Sequence, residues 1–205
     1  VVRELLLKAD KQNVSLVIGI PKENQKVEKR LAITPETTAL LAESGYQVVI
    51  ESDAGLAINY SDRYYSDSGA HIAQSKAEVF QADIILKISP PTYEEVSMMK
   101  PRSSVFSFLQ LHLISSETLE LMAEKRINAL AYELINDDNQ ISPFVTAISE
   151  IEGAYSISVA SELLSSAHGG KGILLGGVPG ISPTEVVIIG AGVAGSVAAR
   201  AALAL

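Results

Sequence analysis

Short apolar runs rich in Val and Ile recur along the chain, at "SLVIGI", "YQVVIES", "ADIILKIS", "SSVFSFLQL", "INALAYELI" and "TEVVIIG". Between most of them lie segments whose apolar positions follow helical spacing: "PETTALLAESG", "SKAEVFQ", "TYEEVSMMK" and "SETLELMAEKR". A strand with one wet face alternates apolar and polar residues. These runs are nearly continuous instead, which calls for cover on both faces. Such strands alternating with helices predict an α/β fold built on a doubly wound parallel sheet, of the Rossmann or flavodoxin-like kind.

The punctuation agrees. Thr34 is placed to cap a helix whose first residue is Pro35, and Gly45 is placed to end it. "SDRYYSDSGA" reads as a short helix ending at Gly69. Ser116 can cap "ETLELMAEKR", with Lys125 and Arg126 at its favourable C-terminal end. After "INDDNQISP" the texture changes. "VTAISEIEGAYSISVASELLSS" is long, rich in small residues and helical in spacing, and reads as a helix bridging two domains. "AHGGKGILLGGVPGISP", with Pro179 and Pro183, reads as a loop or short hairpin. The expected division is a first domain over 1–145 and the start of a second over 146–205.

That second domain opens on a motif. Gly190, Gly192 and Gly195 form G-x-G-x-x-G between "TEVVII", expected as a strand, and "GSVAARAALAL", expected as a helix. The first glycine permits a tight strand-to-helix turn. The second lets backbone amides approach a pyrophosphate, and the third lets helix and strand pack closely. The phosphates would sit at the positive helix N-terminus. The same stretch is apolar enough to suggest a membrane span, but Arg200 sits well inside it and interfacial anchors are missing. The acidic residue that holds the ribose belongs about 20 residues past the glycines, beyond Leu205. The choice between NAD and NADP is therefore not written in these residues. The chain reads as a fragment of a longer protein, expected to be inactive alone.

Composition narrows the picture. The 205 residues are 47% hydrophobic and carry a formal net charge of −8, with no basic stripe to bind nucleic acid. Cysteine is absent, which excludes disulfides, thiol nucleophiles and thiolate metal sites and suits a reducing cytoplasm. No His, Asp or Glu cluster has metal-ligand spacing. "VVRELLLKADKQ" at the N-terminus is expected as a short amphipathic helix. Its apolar run is too short for a signal peptide.

Three side chains could carry chemistry. His112 follows the apolar run "VFSFLQL", and ligands collect at the carboxyl ends of parallel strands. It serves there either a ligand or a backbone carbonyl. Arg30 lies between the first strand and the first helix. It either forks onto a substrate carboxylate or pairs with Glu28 or Glu36. Lys87 interrupts an apolar strand, and its ammonium either enters a cleft or pairs with a carboxylate. His71, at a strand start, and His168 look structural.

Together, "IGIPKENQKVEKRLAITP", "ADIILKI", "FLQLHL", "ALAYELI", "AISEIEG" and "GGKGILLGGVPGISPTEVVIIGAGVAG" resemble the alanine dehydrogenase and pyridine-nucleotide transhydrogenase family, from about Val17 to the end. The resemblance implies a substrate domain followed by an NAD-binding domain, with reaction in the cleft between them. The implied reaction is oxidative deamination of a small L-amino acid to its 2-keto acid, in a homo-oligomer. By the same resemblance Arg30 matches the arginine that binds the substrate carboxylate. His112 matches the acid/base histidine, work that suits an imidazole near neutral pH. Ser149 matches a cofactor-contacting serine, and Lys87 the first of two lysines near the substrate. Ser89 stands where dehydrogenases have the second lysine. The alternative within the resemblance is a transhydrogenase subunit, and outside it a non-catalytic ligand-binding relative.

Overall fold

Six parallel strands form one sheet: β1 (Val17–Ile20), β2 (Gln47–Glu51), β3 (His71–Ala73), β4 (Ile84–Leu86), β5 (Ser104–Ser107) and β6 (Asn128–Ala131). Their order across the sheet is β3-β2-β1-β4-β5-β6. The structure, a computed structural model, describes residues 16–182 and 184–205. The N-terminal segment expected as an amphipathic helix, and Pro183, lie outside the described residues. The chain divides into two compact units, the first ending at Tyr132 and the second running from Glu133 to Leu205.

In the first unit the strands alternate with α1 (Pro35–Glu43), α2 (Asp62–Asp67), α3 (Lys76–Val79), α4 (Tyr93–Met98) and α5 (Ser116–Glu124). The near-continuous apolar strands serve two cores. Ile18, Ile20, Val48 and Ile50 build one, with Ile84 and Leu86 packed against it. Ile85 and Val105 build the other with Val96, Met99 and Phe80. Neighbours along β4 thus face opposite layers, as the period of two requires. Truncating fully buried Ile85 to Ala would cost about 2–5 kcal/mol through lost burial and the cavity left behind.

The caps mostly fall where expected. The Thr34 side chain accepts from the Thr37 N–H, and Pro35 opens α1. The cap of α5 differs by one residue. Ser115, not Ser116, accepts from the Thr118 N–H, so Ser116 is the first helical residue. Lys125 closes α5 but serves its neighbour: its Nζ donates to the carbonyls of Val96, Ser97 and Met99 at the end of α4. Carbonyls at a helix end fall outside most of its ladder, although the Val96 carbonyl also accepts the Met99 N–H at 3.2 Å.

The second unit holds α6 (Pro143–Leu164) and α7 (Val193–Leu203). Ser142 caps α6 through the Val145 N–H, with Pro143 in its first turn. A Cβ on Gly153 of α6 would run into the Ala194 carbonyl of α7, so that glycine permits the close helix crossing. The glycine-rich stretch is a loop with one antiparallel bridge, Val178 to Ile181. One expectation fails here: "TEVVII" forms no strand. A strand exists by pairing, and no other strand of this unit is present among the described residues to pair with it. Ile189 is accordingly 99% exposed. Among the described residues no helix is long and apolar enough to cross a membrane.

Candidate functional site

The chain winds outward in both directions from the β1–β4 pair. Loops leaving those two strands at their carboxyl ends diverge to opposite sides, and the crevice between them is where ligands bind in such sheets. A cavity of about 420 Å³ lies there, lined by residues that include Lys22 and Glu23 after β1, Glu51 at the end of β2, and Lys87, Ser89 and Glu95 after β4.

Its wall is a charge network. Lys87 is 3% exposed, and its Nζ lies 2.8 Å from Glu95 Oε2 and 3.8 Å from Glu23 Oε2. It also donates to the Pro90 carbonyl at 3.3 Å. The other Glu95 oxygen takes Lys76 Nζ at 2.8 Å. Glu95 occupies this place because it belongs to a capping box: Thr92 accepts from the Glu95 N–H, and Glu95 accepts from the Thr92 N–H. Burial pushes the Glu95 carboxyl up, but the Lys87 charge and the bonds to Lys76 and Lys87 hold it below the usual carboxylate range. Burial pulls Lys76 down, and the Glu95 carboxylate outweighs it and raises the ammonium above its ordinary value. Both readings of Lys87 therefore meet in one arrangement: the ammonium borders the cleft and is neutralised there by carboxylates.

Ser89 shares this cavity; Arg30 and His112 are not among the residues that line it. Arg30 forks onto Glu28, with Nε at 2.9 Å from Oε1 and Nη2 at 2.6 Å from Oε2. The guanidinium remains about half exposed. His112 is exposed in a single 3₁₀ turn, Leu111–Leu113, that follows β5. The strands that lead to Arg30 and His112, β1 and β5, are the two neighbours of β4. All four predicted residues of this unit therefore follow adjacent strands at the same sheet edge. His71 lies 2.8 Å from Glu78 and His168 lies 3.5 Å from Glu162, both pairs at the exposed surface.

The sequence reading missed Glu23, Lys76 and Glu95. Only Glu95 carried a local signal, the Thr-x-x-Glu spacing that opens α4. Gln110 opens the turn that holds His112. It takes a left-handed backbone, φ 42°, at the turn after β5.

In the second unit, Ser149 is half-buried on α6. Of the strand–turn–helix context expected around the glycine turn, the helix α7 is formed and the strand is not. Gly190 has φ 110°, which a side chain would oppose. A Cβ on Gly195 would strike the Gly190 carbonyl oxygen. Gly192 is the N-cap of α7 and offers no side chain to its first-turn amides. A Cβ on Gly192 would meet nothing within 4 Å. Orphan amides on an open helix N-terminus fit a dinucleotide pyrophosphate.

A switch-point cleft in a doubly wound sheet, followed by a glycine-rich turn at a helix N-terminus, defines a class of two-part α/β proteins. Two family models match this chain within that class. The alanine dehydrogenase/PNT N-terminal domain covers residues 19–152, and the corresponding C-terminal domain covers residues 156–205. The chain belongs to the alanine dehydrogenase/PNT family. It is 38% identical over 191 residues to an alanine dehydrogenase of Staphylococcus saprophyticus, covering 93% of this chain and 51% of that protein. A solved L-alanine dehydrogenase superposes with a TM-score of 0.86 at 33% identity, over 92% of this chain and 52% of that one. The transhydrogenase of Sinorhizobium meliloti follows at 0.75 and 25% identity, over 92% of this chain and 56% of that one. The chain spans about half the length of the curated relatives it matches.

Proposed function

We propose that this chain supplies the substrate domain and the opening of the nucleotide domain of an NAD-dependent dehydrogenase. Its reaction is the oxidative deamination of L-alanine, or a similarly small L-amino acid, to the 2-keto acid. The observation that carries the reading is the likeness to alanine dehydrogenases over more than nine-tenths of the chain. The 205 residues span about half the length of those relatives, and alone they are expected to be inactive. In this reading the enzyme works in the cytoplasm as a homo-oligomer, with no nucleic-acid or membrane partner. Ile151, Tyr155 and Leu163, exposed along α6, are apolar surface an assembly would cover.

Each residue has a task. Arg30 presents two parallel N–H donors to the substrate carboxylate, in competition with Glu28. This orients the carbon that bears the amino group. His112 takes the proton that the substrate ammonium gives up before hydride loss forms the iminium, then relays protons as water adds to that carbon and the C–N bond breaks to release ammonia and leave the keto group. Ser89 offers a neutral hydroxyl at the cavity wall, beside a Lys87 that is already paired. Gly190, Gly192, Gly195 and Ser149 hold the dinucleotide. When bound, the nicotinamide supplies the two-electron acceptor.

The test is the absorbance of reduced cofactor when the full-length protein meets NAD and a panel of small L-amino acids. Arg30→Ala should raise KM by roughly 10–150-fold, the loss of one charge-assisted contact. His112→Ala should lower kcat by roughly 10²–10⁴-fold. A wild-type protein without turnover on any of them sinks the reading.

A further inference from the structure

Glu23 is the least expected residue of the cleft. It sits three residues past β1, yet it is only 6% exposed. Its Oε1 accepts the Ile88 N–H at 2.5 Å and the Ser89 N–H at 3.3 Å, across 65 and 66 positions of sequence. Its other oxygen faces Lys87 Nζ at 3.8 Å. One carboxylate thus joins the loop after β1 to the loop after β4, at the point where the sheet changes direction.

The loop after β4 is restrained from several sides. Lys87 holds the Pro90 carbonyl, and Glu95 holds the Thr92 N–H. Pro90 and Pro91 have no N–H and fixed φ, so they add stiffness but no anchoring bond. The Ile88 carbonyl accepts the Phe108 N–H at 3.0 Å, and the amides of Ile88 and Ser89 both go to Glu23. The loop after β1 that carries Glu23 is the one that carries Arg30 seven residues on.

We propose that Glu23 is a positioning residue: its buried carboxylate registers the Ser89 loop against the Arg30 loop. This rests on the reading of Arg30 and Ser89 as substrate contacts. A buried carboxylate beside a lysine has a plainer role, which is to balance the charge. The two roles make opposite demands on the side chain. Positioning needs reach and an acceptor oxygen; Glu23→Gln keeps both and loses the charge. Lys87 tolerates that loss because Glu95 still pairs with it at 2.8 Å. Charge balance needs only the negative charge. Glu23→Asp keeps that charge but withdraws the oxygens by about one carbon–carbon bond, ~1.5 Å, beyond hydrogen-bonding range of both amides.

Hydrogen exchange by mass spectrometry on the full-length protein, over a peptide spanning residues 86–92, reads the geometry. KM for L-alanine and for NAD reads its consequence. E23Q is expected to match wild type in both. E23D should exchange roughly tenfold faster in that peptide, with peptides from β1 and β2 unchanged. Its KM for L-alanine should rise by roughly tenfold while its KM for NAD stays within about threefold. E23D behaving as wild type, or E23Q failing to fold or losing protection as E23D does, overturns the proposal. A wild type inactive on every amino acid defeats the proposed function instead, and the exchange result then decides the role of Glu23 by itself.

Discussion

Lys87 and Glu95 meet at 2.8 Å with side chains that are 3% and 6% exposed, which ties the end of β4 to the first turn of α4. Two charges out of water stabilise a fold only while both are present. Lys87→Met should cost about 3–5 kcal/mol, because it leaves the buried Glu95 carboxylate with the partly exposed Lys76 as its remaining ion-pair partner. Lys87→Met with Glu95→Met should cost less than the single change. Urea unfolding of both variants checks this; a double variant worse than the single removes the pair from the stability argument. Acid adds a second readout. The Glu95 carboxyl is held below its unfolded value. Its contribution is therefore present above the ordinary carboxylate range and is lost as pH falls through the lowered folded value. Glu95→Gln should flatten that part of the acid limb.

Two tyrosines set the alkaline limit. Burial pushes the Tyr65 hydroxyl up to about 12, with smaller contributions from Tyr60 and Glu36. Burial and the Glu23 charge push Tyr132 to about 12 as well. The folded values lie above the unfolded one, near 10. The neutral forms therefore stabilise the fold fully below about pH 10, and that contribution is lost between about 10 and 12. Ultraviolet titration should show two of the seven tyrosines ionising late or only with unfolding. Tyr65→Phe should remove one late step while giving up its hydrogen bond to the Ile33 carbonyl. A single transition for all seven near pH 10 would contradict the burial argument.

Glu28 should act as a brake on substrate binding. It occupies both donor positions of the Arg30 fork that a carboxylate substrate would use. The Arg30 side-chain bond is also what holds the Glu28 carboxyl below its usual range. Glu28→Gln weakens the competitor without touching Arg30. KM for the amino acid should then fall, by up to about fivefold if a partly exposed pair of at most ~1 kcal/mol is released. Steady-state kinetics on the full-length protein decides; an unchanged or higher KM means that Glu28 holds Arg30 in place rather than withholding it.

The readability of this protein divides by range along the sequence. Strands and caps are local. Five of the apolar runs became strands of the sheet, and Thr34 and Pro35 start α1 as their chemistry requires. Residues 71–73 contain too few apolar positions to stand out as a run, and they form an edge strand only because β2 offers them a partner. The run at 185–190 has the right residues and lacks a partner strand among the described residues, so composition alone misleads there. The cleft is the least local feature. Arg30 had two open readings, and the bond to Glu28 two residues away is one of them. Glu23 reaches Ile88 over 65 positions, and nothing in either stretch announces that contact.

The glycine turn yields a prediction with its own control, since its glycines are glycines for different reasons. Gly195 cannot carry a Cβ because the Gly190 carbonyl fills that space, whereas a Cβ on Gly192 meets nothing. Gly195→Ala should therefore disturb the seating of α7 on the turn, and both thermal stability and NAD affinity should fall. Gly192→Ala should leave stability nearly unchanged, because its φ of −71° suits any residue. Its added methyl lies on the open side of the turn, where a pyrophosphate must approach the first-turn amides. NAD binding should weaken by at least about tenfold, the loss of roughly one charge-assisted hydrogen bond. Gly177→Ala, also in open space but away from the turn, should change neither quantity. Calorimetric titration of NAD into the full-length variants, with a melting curve for each, separates the three. If Gly192→Ala binds NAD as wild type does, the N-terminus of α7 is not the phosphate site.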